Sequence, residues 1–162
     1  GHWPHGRGCY VSEDRQVIVW VGEEDHLRIM SMKKGKILNE VLDRLHTVLV
    51  TIEAIEGLKF AHTDGRGYVT SCPTNMGTGM RFSLHLKLPK LCADGTEKRA
   101  NTIAKTYGCQ VRGAGGEHTP IGKDGTIDVS PSARLFIKEK EIVAKLYQGI
   151  KDLMAEEKKA AS

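Results

Sequence analysis

The chain has 162 residues, of which 40% are hydrophobic and 27% charged, and these values predict one soluble globular domain with its own core. The net charge of +4 suits an anionic small-molecule ligand, and the absence of a basic run interleaved with aromatic residues argues against nucleic acid. No apolar run is long enough to span a bilayer, so we expect no membrane partner. The four cysteines include no CxxC pair, so we expect no zinc site, and we expect their thiols to be free in a reducing cytoplasm.

The first third of the chain predicts two strands and one long helix. A compact apolar run at 16–21 predicts a buried strand, and a second strand follows at 27–32. The residues between them, 22–26, form an acidic turn. Apolar residues at 37–55 then recur at helical spacing, which predicts the strongest helix of the sequence, ending near Gly57.

The sequence pattern in the rest of the chain predicts four further strands and two further helices. The predicted strands are 67–71, 80–88, 109–112 and 126–129, and the predicted helices are about 97–107 and 142–154. A loop with five glycines in thirteen residues spans 113–125, and we expect it to close over a ligand. Tight turns between successive strands favour an antiparallel β-sheet flanked by α-helices, an α+β fold.

The stretch from Cys72 to Arg81 carries the most information about function. It places a thiol nine positions before a permanent cation, with two glycines between them. A guanidinium binds phosphate oxygens as a fork, and small residues allow backbone N–H groups to approach an anion closely. The Thr74 hydroxyl can stabilise a Cys72 thiolate, although burial as an inert thiol is the commoner fate of a free cysteine. The stretch therefore predicts a site where a phosphorylated ligand meets a second reactant.

Three arginines, Arg28, Arg81 and Arg112, fall on predicted strands. Guanidiniums that converge from neighbouring strands could neutralise a triphosphate, because each binds phosphate oxygens bidentately and keeps its proton. The alternative interpretation is three ordinary surface ion pairs, since most arginines lie on the surface.

Two acidic features are further candidates. Glu23, Glu24 and Asp25 could bind a cation such as magnesium or supply a general base, or they could simply form a solvated turn. Glu117 and His118 lie in the glycine-rich loop, where a carboxylate would reach a bound cation only after closure, or they form a polar loop tip. That loop lacks the Gly-Lys-Ser/Thr ending of a P-loop.

Three blocks of the sequence, 20–28, 72–81 with its Cys-Pro-Thr-Asn start, and 112–119, closely resemble the phosphagen kinases. This family comprises the arginine, creatine, lombricine, taurocyamine and glycocyamine kinases, and Trp3-Pro4 with 6–8 also matches it. The resemblance implies a reversible transfer of the γ-phosphoryl group of Mg-ATP to a guanidino nitrogen. It also implies an antiparallel sheet flanked by helices.

The resemblance implies a role for each matching residue. Those that would bind ATP or ADP are Arg28, Arg81, Ser83, His85, Arg112, Gly113, Ala114, Gly115 and Gly116. Those that would act on the guanidino substrate are Glu24, Cys72 and Glu117. The two carboxylates would orient the guanidinium and either could take its proton, while the cysteine would contact it as a thiolate without a covalent bond. Mg²⁺ would be held mainly by the nucleotide phosphates, with no protein metal site.

The resemblance also bounds what the chain could do alone. Residues 1–162 would be the C-terminal part of a catalytic domain, with an N-terminal helical domain absent, so the missing part of the same protein is an expected partner and we expect weak activity or none. Glu117 argues against creatine and leaves arginine, lombricine and taurocyamine open, although arginine kinases often have Arg where Gly115 stands. A homodimer also stays open.

Two alternatives come from other functional classes. One is a truncated, non-catalytic module that binds a nucleotide or a partner domain. The other is a thiol enzyme in which Cys72 is the nucleophile, His118 the base and Glu117 the group that orients the base.

Overall fold

The computed structural model describes residues 3–35, 37–115, 119–122 and 124–160, and this part of the chain contains eight strands and three helices. In chain order they are β1 Gly8–Val11, β2 Val17–Val21, β3 Leu27–Ser31, α1 Leu38–Glu53, β4 His62–Thr63, β5 Gly67–Tyr68, β6 Leu84–Lys87, α2 Lys98–Lys105, β7 Cys109–Gly113, β8 Thr126–Pro131 and α3 Glu139–Lys159. None of the described helices is both long and apolar enough to cross a membrane.

The first of two compact units comprises Gly1–Asp64 and Tyr68–Met76. Its antiparallel sheet has the order β1-β2-β3, and the β-branched run of β2 forms the central strand. The β2–β3 turn starts at Gly22, where φ is +74° and a Cβ would meet a backbone oxygen at 2.7 Å. Helix α1 packs on β3. The unit therefore presents the acidic turn at one end of a hairpin.

The second unit comprises Gly65–Gly67 and Gly77–Ser162. Its antiparallel sheet has the order β6-β8-β7, and α3 packs against β7, β8 and α2. The apolar side chains that fill its core are Leu88, Leu91, Ala100, Ala104, Ile127, Val129, Ile142, Leu146 and Leu153. Strand β8 is central and almost wholly buried, so its side chains are held tightly.

The predicted α+β fold with antiparallel sheets is confirmed, but several element bounds are wrong. The short strands β1 and β4 were not predicted, and the strand predicted at 67–71 shrinks to β5. The strand predicted at 80–88 shrinks to β6, so Arg81 precedes the strand instead of lying on it. The strand begins only at Leu84 because just Leu84–Lys87 pair with β8.

Candidate functional site

The turn between β2 and β3 is fastened to the segment that contains Cys72. The Asn75 side-chain amide donates to Glu24 Oε1 at 3.1 Å and to Asp25 Oδ2 at 3.2 Å. The backbone N–H of Ser71 donates to the other oxygen of Asp25. We call Glu24, Asp25, Cys72, Thr74 and Asn75 the acid–thiol cluster. Its two carboxylates are oriented by donors from a segment about fifty residues away in sequence.

Cys72 occupies the N-terminal end of a 3₁₀ turn, Pro73–Asn75. Its Sγ lies 2.9 Å from the Thr74 hydroxyl, and its carbonyl accepts the Asn75 N–H at 3.0 Å. The thiol is half-buried. The structure thus brings Cys72 and Glu24 into one cluster through Asn75, as a shared guanidinium site requires, while their catalytic roles stay a prediction.

The other cysteines of the chain are free thiols in different settings. Cys92 and Cys109 are buried, and burial raises the pKa of each thiol. A raised pKa keeps a thiol protonated and weakly nucleophilic at neutral pH. Cys9 is exposed on β1.

Arg28 lies on β3, in the first unit, opposite Trp20 in the register. Its guanidinium carbon sits 5.5 Å from the centre of the Trp20 ring, and Nη1 lies 3.6 Å from Glu23 Oε2. Both partners of that ion pair are largely exposed, so the pair contributes little stability. The aromatic face therefore orients the guanidinium at the surface more than the carboxylate does.

In the second unit, charged side chains gather around Asp128 on the central strand β8. Asp128 is opposite His85 on β6 and Arg112 on β7. Arg81 Nη2 contacts Asp128 Oδ2, and His85 Nε2 lies 3.5 Å from Asp128 Oδ1. The structure thus brings together three of the predicted nucleotide-binding residues around a carboxylate that was not predicted.

Arg134 completes this group and was also missed. It follows β8, is half-buried, and donates from Nη1 to the carbonyl oxygens of Pro131 and Ser132. Burial and the positive charges of Arg81 and Arg112 lower the pKa of Arg134 below its usual range. We call Arg81, His85, Arg112, Asp128 and Arg134 the arginine cluster. The guanidiniums must lie close enough to repel one another.

Two signals in the sequence could have identified the missed residues. Asp128 interrupts an otherwise apolar run between Ile127 and Val129, and a charged residue in a buried strand needs a partner. Arg134 has a weaker signal, because it lies outside any element with a regular period.

The prediction that Arg28, Arg81 and Arg112 project from neighbouring strands is wrong. β3 and β7 belong to different sheets, and Arg81 precedes β6. The error arises because strand order in a sheet depends on tertiary pairing, which strand patterns do not specify. A common ligand for Arg28 and the other two stays a prediction.

The predicted backbone cradle begins at the end of β7. Gly113 is buried, and a Cβ there would lie 2.3 Å from the Thr119 carbonyl oxygen, so only glycine fits. Ala114 and Gly115 follow it in a turn. Gly116, Glu117 and His118 lie outside the described residues. The closing loop and the role of Glu117 therefore stay predictions.

Ser83 is half-buried just before β6, one residue from the buried Phe82. Its position next to the core restricts the backbone that leads into His85. Within the described residues no group of three or more His, Cys, Asp or Glu side chains is arranged to hold a metal ion. The acidic turn accordingly shows no metal-binding geometry.

Comparison with known proteins agrees with this arrangement. Residues 1–160 match the family model "ATP:guanido phosphotransferase, C-terminal catalytic domain". The chain is 44% identical to the arginine kinases of Artemia franciscana and Limulus polyphemus, with 98% and 99% of this chain aligned to 43% of each relative.

Solved structures show the same kinship. A duplicated taurocyamine kinase from Schistosoma mansoni with bound transition state analog components superposes with a TM-score of 0.87 and 40% identity, over 96% of this chain and 21% of that one. A lombricine kinase crystal structure gives 0.85 and 34%, over 96% and 43%. The chain spans less than half the length of the curated relatives it matches. The predicted resemblance is confirmed, and the chain belongs to the ATP:guanido phosphotransferase family through its C-terminal catalytic domain.

Proposed function

We propose that this chain is the C-terminal part of the catalytic domain of a kinase that transfers the γ-phosphoryl group of Mg-ATP reversibly to a guanidino compound. The observation that carries the proposal is the arginine cluster, in which Arg81 contacts the buried carboxylate of Asp128, Arg112 stands opposite it in the sheet, and both arginines influence Arg134 electrostatically. Cations held so close to one another are favoured by a polyanion that neutralises them, and a nucleotide triphosphate is such a polyanion. Family membership supports the same conclusion.

The described residues fit ATP or ADP. Arg81 and Arg112 offer forked donors to phosphate oxygens, and His85, largely exposed, lies beside them on β6. A carboxylate oxygen of Asp128 has no hydrogen-bond partner among the described atoms. Mg²⁺, when bound with the nucleotide, would supply charge neutralisation at the phosphates, which would themselves be its main ligands.

The acid–thiol cluster fits the guanidino group. A guanidinium is a flat cation, and Glu24 together with a Cys72 thiolate would hold it by charge and by hydrogen bonds. Glu24 would also accept the proton that the attacking nitrogen loses. Because phosphoryl transfer depends mainly on alignment and charge neutralisation, correct placement alone can be worth about 7–11 kcal/mol of barrier. Glu117 would be the second carboxylate.

The guanidino substrate belongs to the class of arginine and related phosphagen precursors. Relatives named for arginine, taurocyamine and lombricine share the fold, so the fold does not select among these compounds. We propose that residues preceding this chain in the complete protein contribute the remaining contacts. The isolated chain is then expected to bind Mg-ADP weakly and to show little transfer.

The test uses substitutions in the complete protein with a panel of guanidino compounds. Glu24→Gln should lower turnover by about 10²- to 10⁴-fold, with Mg-ADP affinity almost unchanged, because the lost group acts on the guanidino side. Arg81→Ala should lower both turnover and Mg-ADP affinity. Glu13→Gln, at an exposed carboxylate, is the control. Equal losses of Mg-ADP affinity in the first two variants would contradict the assignment, and nucleotide binding without any transfer would favour a non-catalytic binding module.

A further inference from the structure

Asp128 is an unusual residue for its position. It is only 5% exposed on the central strand β8, with the buried apolar residues Ile127 and Val129 on either side in sequence. Burying a carboxylate costs free energy unless cations and hydrogen-bond donors compensate it. Its presence in a core strand therefore points to a task that an apolar residue could not perform.

The two carboxylate oxygens of Asp128 face different partners. Oδ2 contacts Arg81 Nη2, and Oδ1 lies 3.5 Å from His85 Nε2 with no hydrogen-bond partner among the described atoms. Arg112 stands opposite Asp128 on the other neighbouring strand. One carboxylate thus lies between an arginine that precedes β6, a histidine on β6 and an arginine on β7.

Arg81 and His85 remain accessible to solvent on the side that faces away from Asp128. The Arg81 side chain is 39% exposed and the His85 side chain 59% exposed, whereas that of Asp128 is 6% exposed. A guanidinium has five N–H donors, so a contact through Nη2 leaves others directed at a ligand. The buried carboxylate consequently contacts Arg81 from below and lies beside His85, without covering the outer surface of either side chain.

Electrostatics gives the carboxylate a second effect. Burial, and after it the positive charges of Arg81 and Arg112, lower the pKa of Arg134, so the like charges of this cluster disfavour one another. A buried negative charge between them offsets part of that repulsion and keeps the side chains in place before a ligand arrives. Such preorganisation lowers the cost of binding a polyphosphate.

We propose that Asp128 is a positioning residue for the nucleotide, acting through Arg81 and His85. The inference rests on the proposed function, since it assumes that these two residues face the nucleotide. Asp128 orients the polar groups of Arg81 and His85 toward the bound nucleotide. This task needs both the shape and the negative charge of the aspartate side chain.

The test is a calorimetric titration of the complete protein with Mg-ADP. Asp128→Asn keeps the side-chain shape, removes the charge, and should weaken Mg-ADP binding by about 10- to 100-fold with the stoichiometry of binding unchanged. A merely structural role would instead reduce the fraction of chains that bind and leave the dissociation constant of the rest unchanged. Asp94→Asn, at an exposed aspartate, is the matched control and should bind normally.

A second variant keeps the inference testable if Asp128→Asn does not fold. Asp128→Glu retains the negative charge, so this variant should fold. It displaces the carboxylate by one methylene, so the affinity for Mg-ADP should fall by at least about 5-fold. Unchanged affinity in a folded Asp128 variant would overturn the inference alone. Absence of Mg-ADP binding to the unaltered complete protein would overturn the proposed function, and this inference with it.

Discussion

Glu157 joins the C-terminal turn of α3 to the segment that follows β6. Its Oε1 accepts the backbone N–H of Lys90 and its Oε2 accepts that of Leu91, each at 2.9 Å. Leu91 is 2% exposed, so its N–H has little access to water. The carboxylate therefore anchors the end of the strand that carries His85. Replacing Glu157 by Gln tests how much this anchor contributes to stability.

The magnitude follows from the two hydrogen bonds. Glutamine keeps one acceptor oxygen, but its NH₂ group then faces the second backbone N–H, donor against donor. One hydrogen bond to a charged group is lost and the other becomes a bond to a neutral group, which together cost about 1.5–3 kcal/mol. For a chain of this size each kcal/mol shifts the melting temperature by about 2–4 °C, so Glu157→Gln should lower it by about 3–12 °C.

Thermal unfolding followed by circular dichroism measures this shift. The matched control is Glu156→Gln, one residue earlier, because Glu156 pairs only across the helix surface with Lys159, with Nζ and Oε1 2.6 Å apart. An exposed pair three residues apart is worth at most about 0.5 kcal/mol, so the control should shift by less than about 2 °C. Equal shifts in the two variants would refute the reasoning, since they would mean that the paired backbone N–H groups contribute nothing.

Two further predictions concern other carboxylates. Hydrogen bonds from Thr126, above all, and from Lys87 lower the pKa of Asp124 from 3.8 to about 2, so its stabilisation is complete above about pH 4 and disappears as the pH falls through 2. Asp124→Asn should therefore lower the melting temperature at pH 7, and the difference should shrink as the pH falls below about 4, so a difference as large at pH 3 as at pH 7 would contradict this. Asn75→Ala removes both side-chain hydrogen bonds to the acidic turn, so hydrogen exchange of the neighbouring backbone amides should accelerate about 5- to 10-fold. The control is Asn39→Ala, at an exposed position of α1, which should leave the exchange rates of these amides unchanged.

The strength of a sequence signal explains which elements could be predicted. α1 was predicted correctly at its start, because its apolar residues repeat at helical spacing, and it ends at Glu53, four residues before the predicted end near Gly57. β1 was missed, since its four residues are mostly exposed and form a strand only by pairing with β2. α3 extends beyond its predicted ends because its last turns are rich in Glu and Lys and its first turn is closed by Glu141 accepting the Lys138 N–H at 2.8 Å.

The residues of the candidate site likewise differ in how strong their sequence signal is. Residues in local motifs, such as Glu24, Cys72 and Arg112, could be identified from the sequence because each block is contiguous. Asp128 and Arg134 were missed: the charge of Asp128 within an apolar run was the one clear sequence signal, whereas their arrangement with Arg81, His85 and Arg112 depends on tertiary contacts. A contiguous motif identifies groups that would meet a ligand, while the residues that orient those groups are scattered along the chain.

Gly77 shows the limit of what a glycine reveals. The sequence predicts that small residues after Cys72 let the backbone approach an anionic ligand. In the structure, a Cβ at Gly77 would lie 2.3 Å from the carbonyl oxygen of Arg134, and the next N–H, that of Thr78, donates to this oxygen at 3.0 Å. A glycine signals only that a side chain would collide with something close, and here the close group is the backbone of Arg134. The glycine at 77 is therefore accounted for by the close approach of the Arg134 backbone, without any contact to a ligand.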